Sequence, residues 1–517
     1  MNKRIYNIIF DTHTVAGIII SVALYVIFFA GTISFLRDEI IVWENHAPIK
    51  KNYFETANFD KLLSQLAEKD TLYSRDISFR SYSETRQVGG NISQRKDIEE
   101  KKVDRRRGFF IIDLETGKKS TYFENYSLGE FFYRLHFFAQ LNFWGRSGYY
   151  FAGIITFFFL FTLITGLIIH WDKIIQNFYV FRPKIAWKNI WTDAHTALGM
   201  IGLPYQLMYA ITGAYLIVGG TFLVEPAQKL IFGDDKAKIV ETYIAKDEIK
   251  LEFINKPLST PFSINRFVQK AKELFPNTLI KEIQITNYAD ENMSLKVVAY
   301  TPYQEDFTGN YSVIYRISDG SILYKKEAKE RKITDLRDTI VRLHFGDYGG
   351  YGIKFMYILL GFLGCLVIIS GVLIWFVARD KKNISEYKRK QNRWVVNCYL
   401  SICLSMLPAT GFTFLTMKIL GNSIIDKHAW VYSLFFYSWL ALSVFFIIRR
   451  NNFITNKYTL LLGAILALLI PIADGFITGS WLWTSIQREE TAIFVVNFFW
   501  LLVSIIAFFV SSKLKKQ

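Results

Sequence analysis

The chain has 517 residues, of which 51% are hydrophobic and 17% aromatic, and its formal net charge at pH 7 is +16. This composition is too apolar for a typical soluble protein of this size, and the chain is too long for one compact domain. The positive charge does not indicate a nucleic-acid partner, because the basic clusters fall between long apolar runs.

Eight apolar runs are long enough for helices that cross a bilayer core of about 30 Å, which takes about 20 residues. They lie at 14–36, 149–171, 197–221, 353–377, 396–418, 429–448, 458–477 and 491–511. The first run is longer than the apolar core of a secretory signal, and no small-residue cleavage site follows it, so we expect a retained helix. The sequence therefore predicts an α-helical polytopic protein in contact with membrane lipid.

The basic clusters all fall on one side of an eight-helix arrangement. They lie at 1–4, 182–184, 379–393, 449–450 and 513–516. Because cytoplasmic loops carry an excess of lysine and arginine, we expect both termini in the cytoplasm.

This topology leaves two extracytoplasmic segments, 37–135 and 222–352. In the second, a helical pattern at 262–275 precedes four strand-like runs, the last two joined by the turn Ser318-Asp319-Gly320. The first segment is a poorer copy, with a helical pattern near 59–66 and two strand-like runs after it. We expect one small α+β domain in each segment.

Two histidine motifs occur twice. Asp-Thr-His-Thr-Val-Ala-Gly around His13 recurs as Asp-Ala-His-Thr-Ala-Leu-Gly around His195, and Arg-Leu-His-Phe around His136 recurs around His344. Each helix after the second motif ends in a similar tetrapeptide, Thr-Gly-Leu-Ile in one copy and Ser-Gly-Val-Leu in the other. Such duplication indicates two copies of one unit.

The two predicted copies cover 1–185 and 186–385. Each contains a helix, an extracytoplasmic domain and a second helix. The remaining part, 394–517, adds four helices outside the repeat.

The four repeated histidines are candidate haem ligands. His13 and His195 lie near the cytoplasmic ends of helices 1 and 3, whereas His136 and His344 lie just before helices 2 and 4. If the halves pack around a pseudo-two-fold axis, His13 faces His195 and His136 faces His344. Each pair would then ligate one haem from both sides, an arrangement that suits electron transfer. Since the chain has no Cys-x-x-Cys-His, we expect two b-type haems rather than c-type haem.

Two glycines support the haem interpretation, and two other interpretations of the histidines compete with it. Gly17 and Gly199 follow their histidines by four residues, where a small residue leaves room for a macrocycle or for close helix packing. The histidines could instead hydrogen-bond a neighbouring helix. A zinc site is the other alternative, but zinc takes three or four closely spaced ligands.

Three further residues are possible parts of the haem sites. Arg134 and Arg342 would lie near the outer interface, where they could pair with haem propionates. His170 occurs in one copy only and would lie at the cytoplasmic side. An alternative in which His13 and His170 ligate one haem therefore remains possible.

Motifs for nucleotide binding are missing from the sequence. There is no Gly-x-Gly-x-x-Gly after a strand and no P-loop, and the zinc-protease motif His-Glu-x-x-His is missing as well. An electron donor would therefore be separate, either a membrane quinol or a cytoplasmic flavoprotein.

The duplicated His-Thr-x-x-Gly helices, the duplicated Arg-Leu-His segments and the α+β units resemble the PepSY-associated transmembrane family over about residues 1–385. That family includes ferric-siderophore reductases of the bacterial inner membrane. The resemblance implies two b-type haems in a four-helix unit, PepSY-like domains in the periplasm, and reduction of a ferric siderophore or other ferric chelate with release of ferrous iron. It carries the haem-ligand role to the four repeated histidines, His13, His136, His195 and His344.

Two other functions remain open at this point. A PepSY-type regulatory or binding membrane protein would use the histidines structurally. A siderophore permease would show repeats with helices broken at matching positions, whereas Pro204 and Pro408 do not match. The last four helices could serve dimerisation, quinol binding or docking of a partner.

Overall fold

The computed structural model describes residues 2–46, 54–68, 71–81, 87–98, 108–113, 118–173, 187–233, 249, 251–302, 305, 307–308, 310–327, 332–381 and 383–515. Helices dominate this part of the chain. In chain order they are α1 (Lys3–Ser34), α2 (Arg37–Asn45), α3 (Phe59–Ala67), α4 (Leu128–His136), α5 (Ser147–His170), α6 (Trp187–Ala214, continued as a π-helix over Tyr215–Val224), α7 (Glu225–Phe232), α8 (Ile264–Leu274), α9 (Lys332–Phe345), α10 (Gly350–Arg379), α11 (Glu386–Leu404), α12 (Met406–Leu420), α13 (Lys427–Arg449), α14 (Asn452–Thr478), α15 (Leu482–Gln487) and α16 (Thr491–Lys513).

Eight membrane spans were predicted, and eight helical segments of the described residues are long and apolar enough to cross a membrane. They are α1, α5, the Ile190–Gly219 part of α6, α10, α11 with α12 (Glu386–Leu420), α13, α14 and α16. The prediction of eight spans is confirmed. The chain is a multi-pass membrane protein.

Polar residues fix several helix ends. Asp426 accepts a hydrogen bond from the Ala429 amide at the start of α13, and Asn451 accepts one from the Ile454 amide at the start of α14. Such caps satisfy amides that have no partner inside the helix. At the other end of α14, Gly479 has a φ of 73°, a left-handed conformation that glycine adopts without strain.

Four helices form a unit that carries or contacts the repeated histidines, of which His13 lies on α1, His195 on α6, His136 on α4 and His344 on α9. Helix α1 packs against α5 and α10, and α6 packs against the same two helices. The C-terminal helices lie beside this unit, with α11 against α1 and α10, and α16 against α2.

A buried polar cluster joins α2 to the C-terminal helices. Lys418 forms an ion pair with Asp474 at 2.5 Å and also donates to the carbonyl of Trp43 at 2.8 Å. Asn497 donates to Asp474 at 2.7 Å and accepts from the Trp43 indole at 2.9 Å. Because each buried polar group has a partner on another helix, the cluster fixes how these helices meet.

The strands form one antiparallel sheet. They are β1 (Ile77–Ser81), β2 (Gln87–Ile92), β3 (Phe109–Asp113), β4 (Lys119–Ser120), β5 (Leu279–Thr286), β6 (Ser294–Tyr300), β7 (Asn310–Arg316) and β8 (Ile322–Lys326). Their order across the sheet is β4-β3-β2-β1-β5-β6-β7-β8. The first four strands come from one extracytoplasmic segment and the last four from the other.

The expectation of a small α+β domain in each segment is therefore corrected. Strand β1 pairs antiparallel with β5, for example Ile77 with Ile285, so that the two segments share one sheet. Helices α3 and α8 are joined too, because Asp60 accepts hydrogen bonds from the Ser263 hydroxyl and the Ile264 amide, both at 2.6 Å. Pairing removes two exposed sheet edges and buries one common core.

The strands of the second segment lie where the sequence predicted them, whereas β1 and β2 of the first segment were missed. Strand β2 contains Gly89 and Gly90, which are untypical of strands. The structure explains Gly90, because a Cβ there would lie 2.2 Å from the ring of Phe110.

Candidate functional site

The structure brings the four repeated histidines together as two pairs. The ring centroids of His13 and His195 are 6.4 Å apart, and those of His136 and His344 are 6.0 Å apart. We call His136 and His344 the sheet-side pair, because they lie at the ends of α4 and α9, the helices that follow the strands of the sheet. We call His13 and His195 the far-side pair. His13 belongs to the far-side pair, and Ile27 contacts His136 of the sheet-side pair. Both residues lie on α1, where a rise of about 1.5 Å per residue places them roughly 20 Å apart.

The far-side histidines are held in the same way by two different helices. Nδ1 of His13 lies 3.0 Å from the carbonyl oxygen of Thr162 and 3.2 Å from the Thr165 hydroxyl. Nδ1 of His195 lies 2.9 Å from the carbonyl oxygen of Val367 and 3.2 Å from the hydroxyl of Ser370.

A glycine follows Thr165 and another follows Ser370, and each leaves space for the imidazole ring of the histidine. A Cβ at Gly166 would lie 3.1 Å from the His13 ring, and one at Gly371 would lie 3.1 Å from the His195 ring. The repeated Thr-Gly and Ser-Gly pairs of the sequence are thus the supports of the far-side histidines.

The sheet-side histidines rest on α1 and α6. Nδ1 of His136 lies 2.8 Å from the carbonyl oxygen of Ile27, whereas Nδ1 of His344 lies 2.9 Å from the hydroxyl of Thr212. A glycine again provides the space, since a Cβ at Gly31 would lie only 2.5 Å from Nδ1 of His136.

These contacts fix the state of the rings. A carbonyl oxygen can only accept, so Nδ1 of His13, His136 and His195 carries the proton, and Nε2 is the nitrogen with a free lone pair. Desolvation lowers the pKa of His136, and desolvation together with the neighbouring His136 lowers the pKa of His344 to about 3. Both sheet-side rings are therefore neutral near pH 7, the form that binds a metal.

The spacing within each pair agrees with two ligands of one metal ion. Two imidazoles that bind an ion from opposite sides through Nε2, at about 2 Å each, have centroids roughly 6 Å apart. Among the described residues, no hydrogen bond joins the two rings of either pair, and each Nδ1 is engaged elsewhere. The same residues contain no group of three or more His, Cys, Asp or Glu side chains that could hold a metal ion. The two-ligand geometry fits haem, whose macrocycle supplies the other four nitrogens, better than zinc.

Gly17 and Gly199 have little to do with close packing here. A Cβ at Gly17 would meet no atom within 4 Å, and one at Gly199 would meet only Val367, at 4.0 Å. The sequence offered two explanations for these glycines, room for a macrocycle and close helix packing. The open space beside them favours the first.

The three additional candidates are placed differently. His170 is partly buried and lies within electrostatic range of both far-side histidines. The guanidinium of Arg134 donates to the Tyr122 hydroxyl at 3.2 Å, and that of Arg342 forms an ion pair with Asp347. Both arginines are thus engaged with protein groups beside the sheet-side pair.

Sequence reasoning missed the hydrogen-bond acceptors of the histidines. Two of them, Thr165 and Ser370, left a signal, because they occupy equivalent places in the duplicated helices. Thr212 left a weaker signal, because it precedes Gly213, one of two repeated glycines that each follow a far-side histidine by 18 residues. Carbonyl acceptors such as that of Ile27 leave none, because every residue has a carbonyl.

The described residues form eight helices long and apolar enough to cross a membrane, one sheet built from two inserted segments, and two pairs of partly buried histidines, which together define a multi-pass membrane protein. The chain belongs to the PepSY-associated TM region family, which matches residues 10–378, as the sequence resemblance had indicated. It is also similar to an uncharacterized protein of Pseudomonas aeruginosa, with 21% identity over 262 residues. That similarity covers 48% of this chain and 63% of the length of the relative.

Proposed function

We propose that this protein is a di-haem membrane oxidoreductase that reduces ferric-siderophore complexes. The observation that carries the proposal is the presence of two facing histidine pairs, 6.4 Å and 6.0 Å between centroids, whose Nδ1 atoms are held by other helices. His13 and His195 would hold one b-type haem, and His136 and His344 would hold the other. Bound haem would supply one-electron transfer across the bilayer to the ferric ion of the chelate.

The residues of the chain contribute position and charge. Carbonyl and hydroxyl acceptors on α1, α5, α6 and α10 orient the four imidazoles, and the adjacent glycines admit the rings. With two imidazole nitrogens from the chain, a bound haem would have no open coordination position, so the protein would transfer electrons without binding substrate at the iron. Arg134, Arg342 and His170 are further contacts that we assign to the haem sites.

The orientation follows from charge. In the order of the spans, the basic clusters fall on the side opposite the sheet segments, and the cluster at 182–184 lies outside the described residues. This distribution supports cytoplasmic termini and a periplasmic sheet in the inner membrane of a bacterium. Electrons would enter at the far-side pair from a quinol or a cytoplasmic flavoprotein. They would leave at the sheet-side pair, next to the domain where we place the ferric siderophore or other ferric chelate.

The paired contacts also support the internal repeat. His13 and His195 share a carbonyl, a hydroxyl and a glycine at matching positions of α5 and α10. The strand order is symmetric about the junction of β1 and β5. We therefore propose that 1–185 and 186–385 are two copies of one unit, with 394–517 as an addition.

Reoxidation of the reduced protein tests the activity. Anaerobic, dithionite-reduced protein in detergent, freed of excess reductant, is mixed with ferric citrate or a ferric hydroxamate siderophore, and the haem Soret band is followed. We expect return to the oxidised spectrum with one ferrous ion formed per haem, trapped by a ferrous-specific chelator. A reduced spectrum that no ferric chelate changes would refute the reductase proposal, and gallium-loaded siderophore, which cannot be reduced, is the control.

A further inference from the structure

Three of the four histidines use a backbone carbonyl as the acceptor for Nδ1, and the fourth does not. The acceptors are the carbonyl of Thr162 for His13, that of Val367 for His195, that of Ile27 for His136, and the Thr212 hydroxyl for His344. The four rings are all partly buried. The type of acceptor is therefore the clearer difference between them.

The hydroxyl proton of Thr212 is already engaged. It is donated to the carbonyl of Met208 at 2.7 Å, so the hydroxyl oxygen is left to accept from Nδ1 of His344. When the two histidine motifs are aligned, Ala30 occupies the position that corresponds to Thr212. His136 accordingly meets no hydroxyl there and contacts the carbonyl of Ile27, the position that corresponds to Tyr209.

The acceptor at Nδ1 tunes the metal that Nε2 binds. A strong acceptor withdraws the ring proton and makes the imidazole a better electron donor, which stabilises ferric over ferrous iron and lowers the reduction potential. A hydroxyl oxygen is a weaker acceptor than the resonance-polarised oxygen of a peptide carbonyl. Both far-side histidines have a carbonyl and a second hydroxyl at 3.2 Å, whereas His344 has the Thr212 hydroxyl alone.

We propose that Thr212 makes the sheet-side pair the higher-potential end of the electron path, and thereby sets the direction of electron flow. The inference rests on the proposed di-haem function. If each pair holds haem, one electron would pass from the haem held by His13 and His195 to the haem held by His136 and His344, so that the first iron would go from ferrous to ferric and the second from ferric to ferrous, and no proton would move. Thr212 acts through His344 and is a positioning residue.

Potentiometric titration of haem absorbance tests the order of the two potentials. One double variant, His13→Ala with His195→Ala, keeps only the sheet-side pair. The other double variant, His136→Ala with His344→Ala, keeps only the far-side pair. We expect the first double variant to titrate at a higher midpoint than the second. Equal midpoints, or the reverse order, would overturn the proposal even though haem is bound.

Substitution of Thr212 tests its role, again by titration of the full-length protein. Thr212→Ala reproduces Ala30 of the other half, so we expect Nδ1 of His344 to donate to the carbonyl of Tyr209, as His136 does to that of Ile27. The higher midpoint should then fall, and the gap between the two midpoints should narrow. Thr212→Ser keeps the hydroxyl and should restore the wild-type midpoints. Thr410→Ala is the matched control, because the Thr410 hydroxyl also donates to the carbonyl four residues earlier, that of Met406 at 2.7 Å, and lies on α12 outside the histidine pairs, so both midpoints should stay in place.

The outcomes separate the two proposals. Two haems with an unchanged or raised higher midpoint in Thr212→Ala would overturn the role of Thr212 and leave the di-haem function standing. Wild-type protein without haem would refute the di-haem function and this inference with it.

Discussion

Gly31 illustrates how closely the candidate site is fitted at the scale of single residues. His136 reaches past it to the carbonyl of Ile27, and only a glycine leaves that path open. The duplicated motifs predicted the histidines, because rare residues that recur with their neighbours are a strong signal in a chain with seven histidines. The pattern could not predict that the second glycine, 18 residues after the first histidine, serves the other histidine pair.

Gly31→Ala tests this fit. The added Cβ would lie 2.5 Å from Nδ1 of His136, well inside van der Waals contact, so the ring must move and its bond to Ile27 is lost. We expect haem content to fall from two to about one per chain, measured by the pyridine haemochrome assay.

Gly352→Ala is the control for that experiment, because its Cβ would meet no atom within 4 Å. It should retain both haems. Gly31→Ala protein with two haems and an unaltered spectrum would show that the glycine is not needed for the sheet-side pair.

At the scale of elements, the sheet is the largest difference between prediction and structure. Alternating patterns located β5 to β8 correctly, because each strand leaves its own local signal. The pairing of β1 with β5 joins residues about 200 positions apart, as in Ile77 with Ile285, and no local pattern records it.

Ser78→Pro in β1 tests the shared sheet. Ser78 pairs with Asn91 on one side and Gln284 on the other, and proline in a central strand removes a ladder hydrogen bond. We expect faster cleavage by trypsin in both inserted segments, read by mass spectrometry, whereas Ser78→Thr should resemble the wild type. Faster cleavage confined to the first segment would contradict a shared sheet.

The ion pair between α12 and α14 is a second element-scale test. In Asp474→Ala the ammonium of Lys418, whose side chain is 4% exposed, loses its ion-pair partner and keeps the carbonyl and the ring of Trp43, and Asn497 loses an acceptor. Breaking a buried pair costs about 3–5 kcal/mol, so the thermal unfolding midpoint in detergent should fall markedly.

Lys390→Ala is the matched control for Asp474→Ala. It removes an exposed pair with Glu386, which contributes about 0.5 kcal/mol or less. Equal unfolding midpoints for the two variants would contradict a stabilising role of the buried pair.

At the scale of the whole molecule, the hydropathy of the chain predicts the span number and the charge distribution predicts the orientation. An even number of spans would put residues 1 and 517 on the same side, and the basic clusters predict that this side is the cytoplasm. The packing of α16 against α2 was not predictable, because it depends on polar contacts such as Trp43 with Asn497 between distant parts of the chain.

Reporter fusions test the orientation. Alkaline phosphatase fused after Pro302, between the third and fourth spans, should be active because it folds only outside the cytoplasm. Green fluorescent protein fused after Gln517 should fluoresce. An inactive phosphatase fusion together with a dark C-terminal fusion would reverse the topology.

The central claim is that two histidine pairs hold two b-type haems, and haem counting tests it most directly. A reduced-minus-oxidised absorption spectrum of the purified, full-length protein should show b-type bands with two haems per chain. Removal of either pair by alanine substitution should leave one, and His428→Ala should leave two. Wild-type protein that binds no haem when expressed with ample haem supply would contradict the claim, as would pair variants that still bind two.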